Sequence, residues 1–383
     1  MVDSEANKLN IAFITYIIKD QYDGIYKKVV SQFNSFNKYS DNCHIGLYCK
    51  TSDDQIAYSY NNFAKTKFSG SIFGKLTKLL CHRHIYKYII DDEPDLVYIR
   101  HNNLFTYSYI RMLKRLFKRG IKIIIEIPTF PYDGEYETSN LINSIINKID
   151  VSYRNKIKNY VYRIVTFSDL DEIWGVKTIK ISNAVDFDKI PIKNYHQKNI
   201  NKSTINLIGV ASLNFWHGYD RILTGIKECI DKNIPCNIHF DIVGGKPGQP
   251  YLQELINYTK KYNLTKYVTF HFEKSGDELN ILFDKSDIAV GCLGCHRKNI
   301  NNLKSLKNIE YAARGVPFIY SELNSDFDDK SYIMKVPPDE SPIDILSIVD
   351  FYKRVSEISP KCIRDSIIDL SWDYQIKKIL KSL

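Results

Sequence analysis

Short apolar runs alternate with longer amphipathic stretches along most of the chain. In the first half the runs at 9–16 (LNIAFITY), 44–49, 95–99, 121–127 (IKIIIEI), 162–167 and 178–182 predict strands. Helical periodicity predicts helices at 24–36, 104–119 and 139–160. The second half repeats the scheme, with strands at 205–211, 237–243, 267–272, 287–290 and 316–320 and helices at 219–232, 251–262, 276–285 and 304–314. An unbroken run such as IKIIIEI suits a strand covered on both faces, as in parallel sheets; a half-exposed strand would alternate. Strands alternating with helices are the pattern of α/β layers. The expected architecture is therefore two doubly wound, Rossmann-like α/β domains, residues 1–190 and 205–365. A polar Asn/Lys-rich linker at 191–204 joins them. A C-terminal helix at 366–383 is expected to return to the first domain. Ligands of such sheets bind beyond the carboxyl ends of the strands, so two sheets facing across a cleft would place an anion against helix N-termini.

Charge divides the halves. The net charge is +9, and +8 of it falls in residues 1–200. A basic half and a near-neutral half imply an anionic partner for the first domain alone. The cations cluster in 75–87 and 106–122, both of which read as amphipathic helices. Such faces suit solvent or peripheral contact with an anionic membrane. No apolar run reaches the ~20 residues of a membrane span. The polar residues before Leu9 do not form a leader, so the expected location is cytoplasmic, with reduced thiols. Eight cysteines are present, and Cys292 and Cys295 form one C-x-x-C. With no second pair at zinc spacing, they read as buried small residues and no metal is expected.

The densest chemical signal is 305–317, SLKNIEYAARGVP. Ser305 fits a helix N-cap, and Gly315 fits a left-handed helix end. First-turn amides, including that of Leu306, together with Lys307 would hold a diphosphate. Glu310 would accept two ribose hydroxyls. This segment resembles the nucleotide-sugar motif of GT-B glycosyltransferases, notably the retaining family 4 enzymes. The resemblance extends to LNIAFITY with Asp23-Gly24, to RIVTFS…IKISNAVD, to GVASLNFWHGYDRIL, to DIVGGKPG and to FDKSDIAVGCLG. IIIEIPTFPYDGE is similar to a capsule and exopolysaccharide subgroup.

The resemblance implies the GT-B fold and transfer of a hexose, with retention, from a nucleotide sugar. UDP-sugar stands ahead of GDP-sugar as co-substrate, no further cofactor is implied, and the acceptor is a glycan or lipid-linked glycan. It implies donor contacts at Gly24, Ser212, Arg221, Gly244, Gly245, Lys246, Arg297, Ser305, Leu306 and Glu310. Catalytic roles fall to Glu310, Lys307, Asn302 and His217. Acceptor-side candidates are Arg100, His101, Tyr132, Asp133 and Glu135. There are departures. Asn302 stands where the family's first acidic residue is expected, and His217-Gly218 replaces Lys-Gly, leaving Arg221 or His217 as substitute cation. The sequence Glu126-Ile127-Pro128 lacks the family's histidine.

Rival signals are weaker. Asp-x-Asp pairs at Asp169/Asp171, Asp186/Asp188 and Asp326/Asp328 fit a metal-dependent transferase only by chance spacing. The loop at 243–248 does not match the P-loop spacing. Two alternatives stay open: a non-hydrolysing sugar-nucleotide epimerase, and a non-catalytic transferase-like binding subunit. Nucleic acid is not an expected partner.

Overall fold

The structure, a computed structural model, describes residues 9–20, 24–132, 141–194 and 204–383. The chain forms two compact units, Met1–Ser182 with Trp372–Leu383, and Asn183–Ser371. Residues 183–193 belong with the second unit: Val185 joins its core, and Arg364 donates to the carbonyls of Ile190 (2.8 Å) and Phe187 (2.5 Å).

In the first unit the order is β1 (Asn10–Ile18), α1 (Gly24–Lys38), β2 (Asn42–Lys50), β3 (Ile56–Tyr60), β4 (Phe63–Phe68), α2 (Ile72–Leu80), α3 (Arg83–Asp92), β5 (Leu96–Arg100), α4 (Tyr107–Phe117), β6 (Lys122–Ile127), α5 (Leu141–Arg154), β7 (Arg163–Thr166), β8 (Glu172–Ile173) and β9 (Val176–Lys180). Among the described residues they build one sheet of order β4-β3-β2-β1-β5-β6-β7-β9-β8. β1 pairs in parallel with both β2 and β5, so the winding reverses between β1 and β5.

Two features depart from the sequence reading. An antiparallel hairpin, β3–β4, extends the edge beyond β2. Its two-residue turn is Asn61-Asn62, with φ of 55° and 66°, the left-handed pair that a tight hairpin requires and that asparagine tolerates. The basic stretch 75–87 is not one helix. α2 is capped by the Ser71 hydroxyl, which accepts the Gly74 N–H at 3.2 Å, and ends at Cys81. α3 starts afresh at Arg83, and the His82 N–H goes to the Ser108 hydroxyl at 2.9 Å instead of continuing the ladder. The cations of 75–87 therefore lie on two helices.

The second unit runs β10 (Ile205–Val210), α6 (Asp220–Asp231), β11 (Ile238–Val243), α7 (Pro250–Lys261), β12 (Val268–Phe270), α8 (Gly276–Lys285), β13 (Ile288–Val290), α9 (Leu306–Ala313), β14 (Phe318–Tyr320), β15 (Ile333–Lys335), α10 (Ile345–Val355) and α11 (Pro360–Asp365). Its parallel sheet has the order β12-β11-β10-β13-β14-β15. Alternate residues enter opposite apolar layers: Leu207, Ile242, Val290 and Ile319 one, Ile208, Val243, Ala289 and Phe318 the other. Burial on both faces explains why these strands read as unbroken apolar runs. The winding reverses between β10 and β13.

The chain then rejoins the first unit as α12 (Trp372–Leu380), shorter than the expected 366–383 because 368–370 form a separate 3-10 turn. The Asp373 carboxylate fixes it to α1, accepting from Ser35 (2.7 Å) and Tyr39 (3.0 Å) and pairing with Lys38. Among the described residues no helix is long and apolar enough to cross a membrane.

Candidate functional site

The reversal between β10 and β13 brings two loops together at the carboxyl end of the second sheet. The loop after β10 makes a 3-10 turn at Phe215–His217 and reaches Gly218, at φ 67°. A Cβ at Gly218 would stand 2.7 Å from the Gly294 nitrogen, and the Leu293 N–H bonds the His217 carbonyl at 3.0 Å. Glycine at 218 thus serves close approach of the loop after β13. Gly244 serves the next neighbour: at φ 116°, its Cβ would lie 1.9 Å from the Ala211 carbonyl oxygen. Glycine at 244 is thus required by the close approach of the Ala211 backbone. Gly245 is also left-handed, at φ 76°. Lys246 beside it is exposed, 3.8 Å from Glu273.

Two of the predicted donor cations hold these loops together. Arg221 on α6 is buried, and its guanidinium donates to the carbonyls of Ser341 (2.8 Å), Pro337 (3.0 Å) and Leu293. Carbonyls occupy the fork expected to meet a diphosphate, so Arg221 buttresses the loop and does not present its charge to a ligand. Arg297 likewise pairs with Asp220 (2.7 Å) and Glu340 (2.5 Å) and donates to the Phe215 carbonyl at 2.6 Å. These carboxylates neutralise it and hold its guanidinium even more firmly protonated, through the hydrogen bonds it donates to Asp220 first and Glu340 second.

His217 does not act as a cation. Burial, and then Lys307, push it down to about 3. Its Nδ1 accepts the Asn214 N–H at 2.9 Å, which puts the ring proton on Nε2. His217 is a neutral donor at physiological pH.

Lys307 stands apart. It lies in the first turn of α9, and its Nζ is out of solvent with no hydrogen-bond partner among the described residues. The Tyr219 ring lies beneath it at 6.0 Å. Burial pushes the ammonium down to about 8, and Glu322 opposes that shift. Ser305 occupies the N-cap position with extended backbone, yet its side chain makes no capping bond. The helix N-terminus therefore keeps its dipole and amides uncompensated by a side-chain cap. The start of α9 is fixed from behind, where Asn183 donates to the Lys304 carbonyl at 2.7 Å and Lys304 pairs with Asp326 at 3.1 Å.

Glu310, one turn on, is half-buried; its Oε1 accepts from Arg314 at 3.0 Å and 2.9 Å. Gly315 closes α9 at φ 74°, with Pro360 where a Cβ would go. Leu306 opens the helix, whereas Asn302 is exposed and forms an isolated bridge with Leu323. Ser212 is exposed, and its carbonyl accepts from Gln249 at 3.0 Å and Asn214 at 3.1 Å.

No family model and no curated protein sequence matches the chain. Solved structures do. Sucrose-phosphate synthase from Thermosynechococcus elongatus aligns over 98% of this chain and 98% of its own, at 13% identity and a TM-score of 0.63. HepE from Anabaena, in complex with UDP-glucose, aligns over 98% and 100%, at 13% identity and 0.61. Trehalose-6-phosphate synthase from E. coli, bound with UDP-2-fluoro glucose, aligns over 98% and 99%, at 13% identity and 0.59. The chain has the GT-B fold.

In this GT-B chain the first unit treats its predicted residues differently. Gly24 opens α1, where a Cβ would meet nothing within 4 Å. Arg100 is buried against Glu126, which also accepts from Tyr98 (2.6 Å) and Gln32 (2.8 Å). Burial works to raise the Glu126 carboxyl, but Arg100, Lys28, Tyr98 and Gln32 outweigh it and hold it ionised. His101 stacks on Phe105 at 3.9 Å, and burial, then His82, push it down to about 3. Tyr132 is a core residue, its hydroxyl donating to Asp150 at 2.9 Å, so its ring is not open to a sugar face. Asp133 and Glu135 lie outside the described residues.

The thiols at 292 and 295 are joined in a disulfide, which corrects the reduced, unpaired reading. The turn at Cys295–Lys298 brings the two Cα atoms to 6.1 Å, within bridging range. Buried Glu322 lies beside the pair. The sequence reading missed Glu322, Asn308 (which donates to Glu322 at 3.2 Å) and the carboxylates that occupy Arg297. No spacing rule points to them, because they meet only through the fold.

Proposed function

We propose that the chain is a glycosyltransferase that takes its nucleotide-sugar donor on the second unit, at the start of α9. One observation carries this reading: a buried ammonium without a hydrogen-bond partner among the described residues, that of Lys307, stands in the first turn of a helix whose N-cap side chain makes no capping bond. A diphosphate supplies the missing acceptors. The uridine nucleotides in the HepE and trehalose-6-phosphate synthase structures support a UDP-sugar donor.

In this reading the first-turn amides and Lys307 take the charge that grows on the diphosphate as the anomeric carbon–oxygen bond breaks, and His217 Nε2–H adds a neutral donor. No step requires a metal ion. Glu310 accepts the ribose hydroxyls, held in place by Arg314. The acceptor hydroxyl attacks the face the diphosphate leaves, which retains configuration, and its proton passes to the departing phosphate oxygen. The sugar is a hexose and the acceptor a glycan or lipid-linked glycan of surface polysaccharide synthesis, reached at the membrane through the basic first unit. Titration of UDP into wild type and Glu310→Ala tests the assignment. The variant should bind at least about tenfold more weakly with its melting temperature in the absence of ligand unchanged, since a lost charge-assisted hydrogen bond costs about 1.5–3 kcal/mol. Unchanged affinity would remove Glu310 from the site.

A further inference from the structure

The first unit contains a cavity of about 960 Å³ between β4, α2, α3 and α4. Neither the donor residues nor Arg100, His101 and Tyr132 line it. Five cations do, namely Lys67, Arg83, Lys87, Arg111 and Arg115, and no carboxylate does. Lys67 stands 3.6 Å from Asp53, and Arg115 lies over the Tyr86 ring at 4.1 Å. Arg83, Lys87 and Arg111 pair with no carboxylate among the described residues. All three are exposed, so no core packing depends on their side chains.

The wall behind the cations is aromatic and imidazole. Phe68, Tyr88, His82 and His84 line it, with the His84 ring edge-on to Phe68 at 5.3 Å. His82 is buried, and its Nδ1 and the His84 Nε2 lie out of solvent without a partner. Burial pushes the two rings down to about 3 and about 4, so they face the cavity as neutral groups. Two buried polar atoms without partners, behind cations without counter-charges, describe a cavity whose complement is missing.

We propose that this cavity is a second ligand site, which binds a phosphate-bearing ligand through Arg83, Lys87 and Arg111 and packs its organic part against Phe68 and Tyr88. Guanidinium forks match the spaced oxygens of phosphate esters, and several cations without counter-charge favour a polyvalent anion over a single carboxylate. The volume lies within the range of small-molecule sites. The break between α2 and α3 builds the site: His82 is buried at the break, and Arg83 opens α3 to line the cavity together with Arg111 of α4.

Two sources share this chemistry, a soluble phosphate ester and a phospholipid headgroup. The test titrates inorganic pyrophosphate into the full chain and, in parallel, sediments the protein with vesicles of phosphatidylglycerol or of phosphatidylcholine alone. The expected result is pyrophosphate binding that falls at least about tenfold in the Arg83→Ala/Arg111→Ala double variant. Lys114→Ala, which removes an exposed charge of α4 outside the cavity, should change it less than about twofold. The same drop should appear in a Lys307→Met background, which separates this site from the proposed donor site. Binding to phosphatidylglycerol vesicles with the same pattern of variants, without pyrophosphate binding, would make the headgroup the source. Failure to bind either probe, or equal losses in Lys114→Ala and the double variant, overturns the proposal.

Discussion

Each unit places a lysine near the start of a helix that follows the reversal of its sheet, and the two have opposite surroundings. Lys28, in the second turn of α1, lies over the Phe167 ring at 3.9 Å and the Trp372 ring at 5.5 Å. Burial pushes it down to about 7, Arg100 adds to that, and Glu126 opposes both. Lys307 is pushed down to about 8 by burial, yet no acceptor among the described residues meets its Nζ. The same residue type in a similar place in the fold is thus closed into a core network in one unit and, among the described residues, left without a hydrogen-bond partner in the other. Lowered basicity alone does not mark a binding lysine; the missing acceptor does.

The comparison can be broken experimentally. The largest effect should come from the closed network. Arg100→Met leaves Glu126 buried without its main counter-charge and should destabilise the first unit by about 3–5 kcal/mol in chemical denaturation. UDP binding to the surviving folded protein should be unaffected. Lys307→Met should show the reverse: little loss of stability, and UDP affinity lower by about tenfold to a hundredfold in calorimetry. A strongly destabilised Lys307→Met would make this lysine a core residue like Lys28.

The pH dependence sharpens the point. Burial pushes Lys307 down to about 8, and the proposed diphosphate site requires its charged form. UDP affinity should therefore be highest below pH 8 and fall by about tenfold between pH 7 and pH 9, with proton uptake on binding. Lys307→Met should remove that slope, and neutral His217 should add none between pH 5 and 8. The smallest effect belongs to the loop backbone. Gly244→Ala forces a Cβ onto the Ala211 carbonyl at a left-handed φ and should cost about 1–3 kcal/mol, seen as a lowered melting temperature.

Much of the fold was legible, because parallel strands buried on both faces leave unbroken apolar runs. β6 and β10 lie within a residue of the expected segments. The β3–β4 hairpin was not seen, since its strands are polar and mixed and its only signal is the Asn61-Asn62 turn. The division of 75–87 into two helices was equally hidden: the Ser108 hydroxyl that receives the His82 N–H lies 26 residues away. At the site, the segment from Ser305 to Gly315 showed itself because cap, lysine, glutamate and helix end are local and ordered. The partners of Arg221 and Arg297 were hidden, because a sequence shows a cation without showing which carbonyls and carboxylates surround it.

The sequence by itself determined two doubly wound sheets and α9 as the helix with a cationic N-terminus. These follow from periodicity and local chain chemistry, which act over a few residues. Only the tertiary structure decided which charges are free. It closed Arg221 and Arg297 onto the loops, Arg100 onto Glu126 and Cys292 onto Cys295; among the described residues it left the Lys307 ammonium without a hydrogen-bond partner and Arg83, Lys87 and Arg111 without a carboxylate partner. The reason is physical: a charge's availability depends on its neighbours within a few ångströms, and most of those neighbours come from distant parts of the chain.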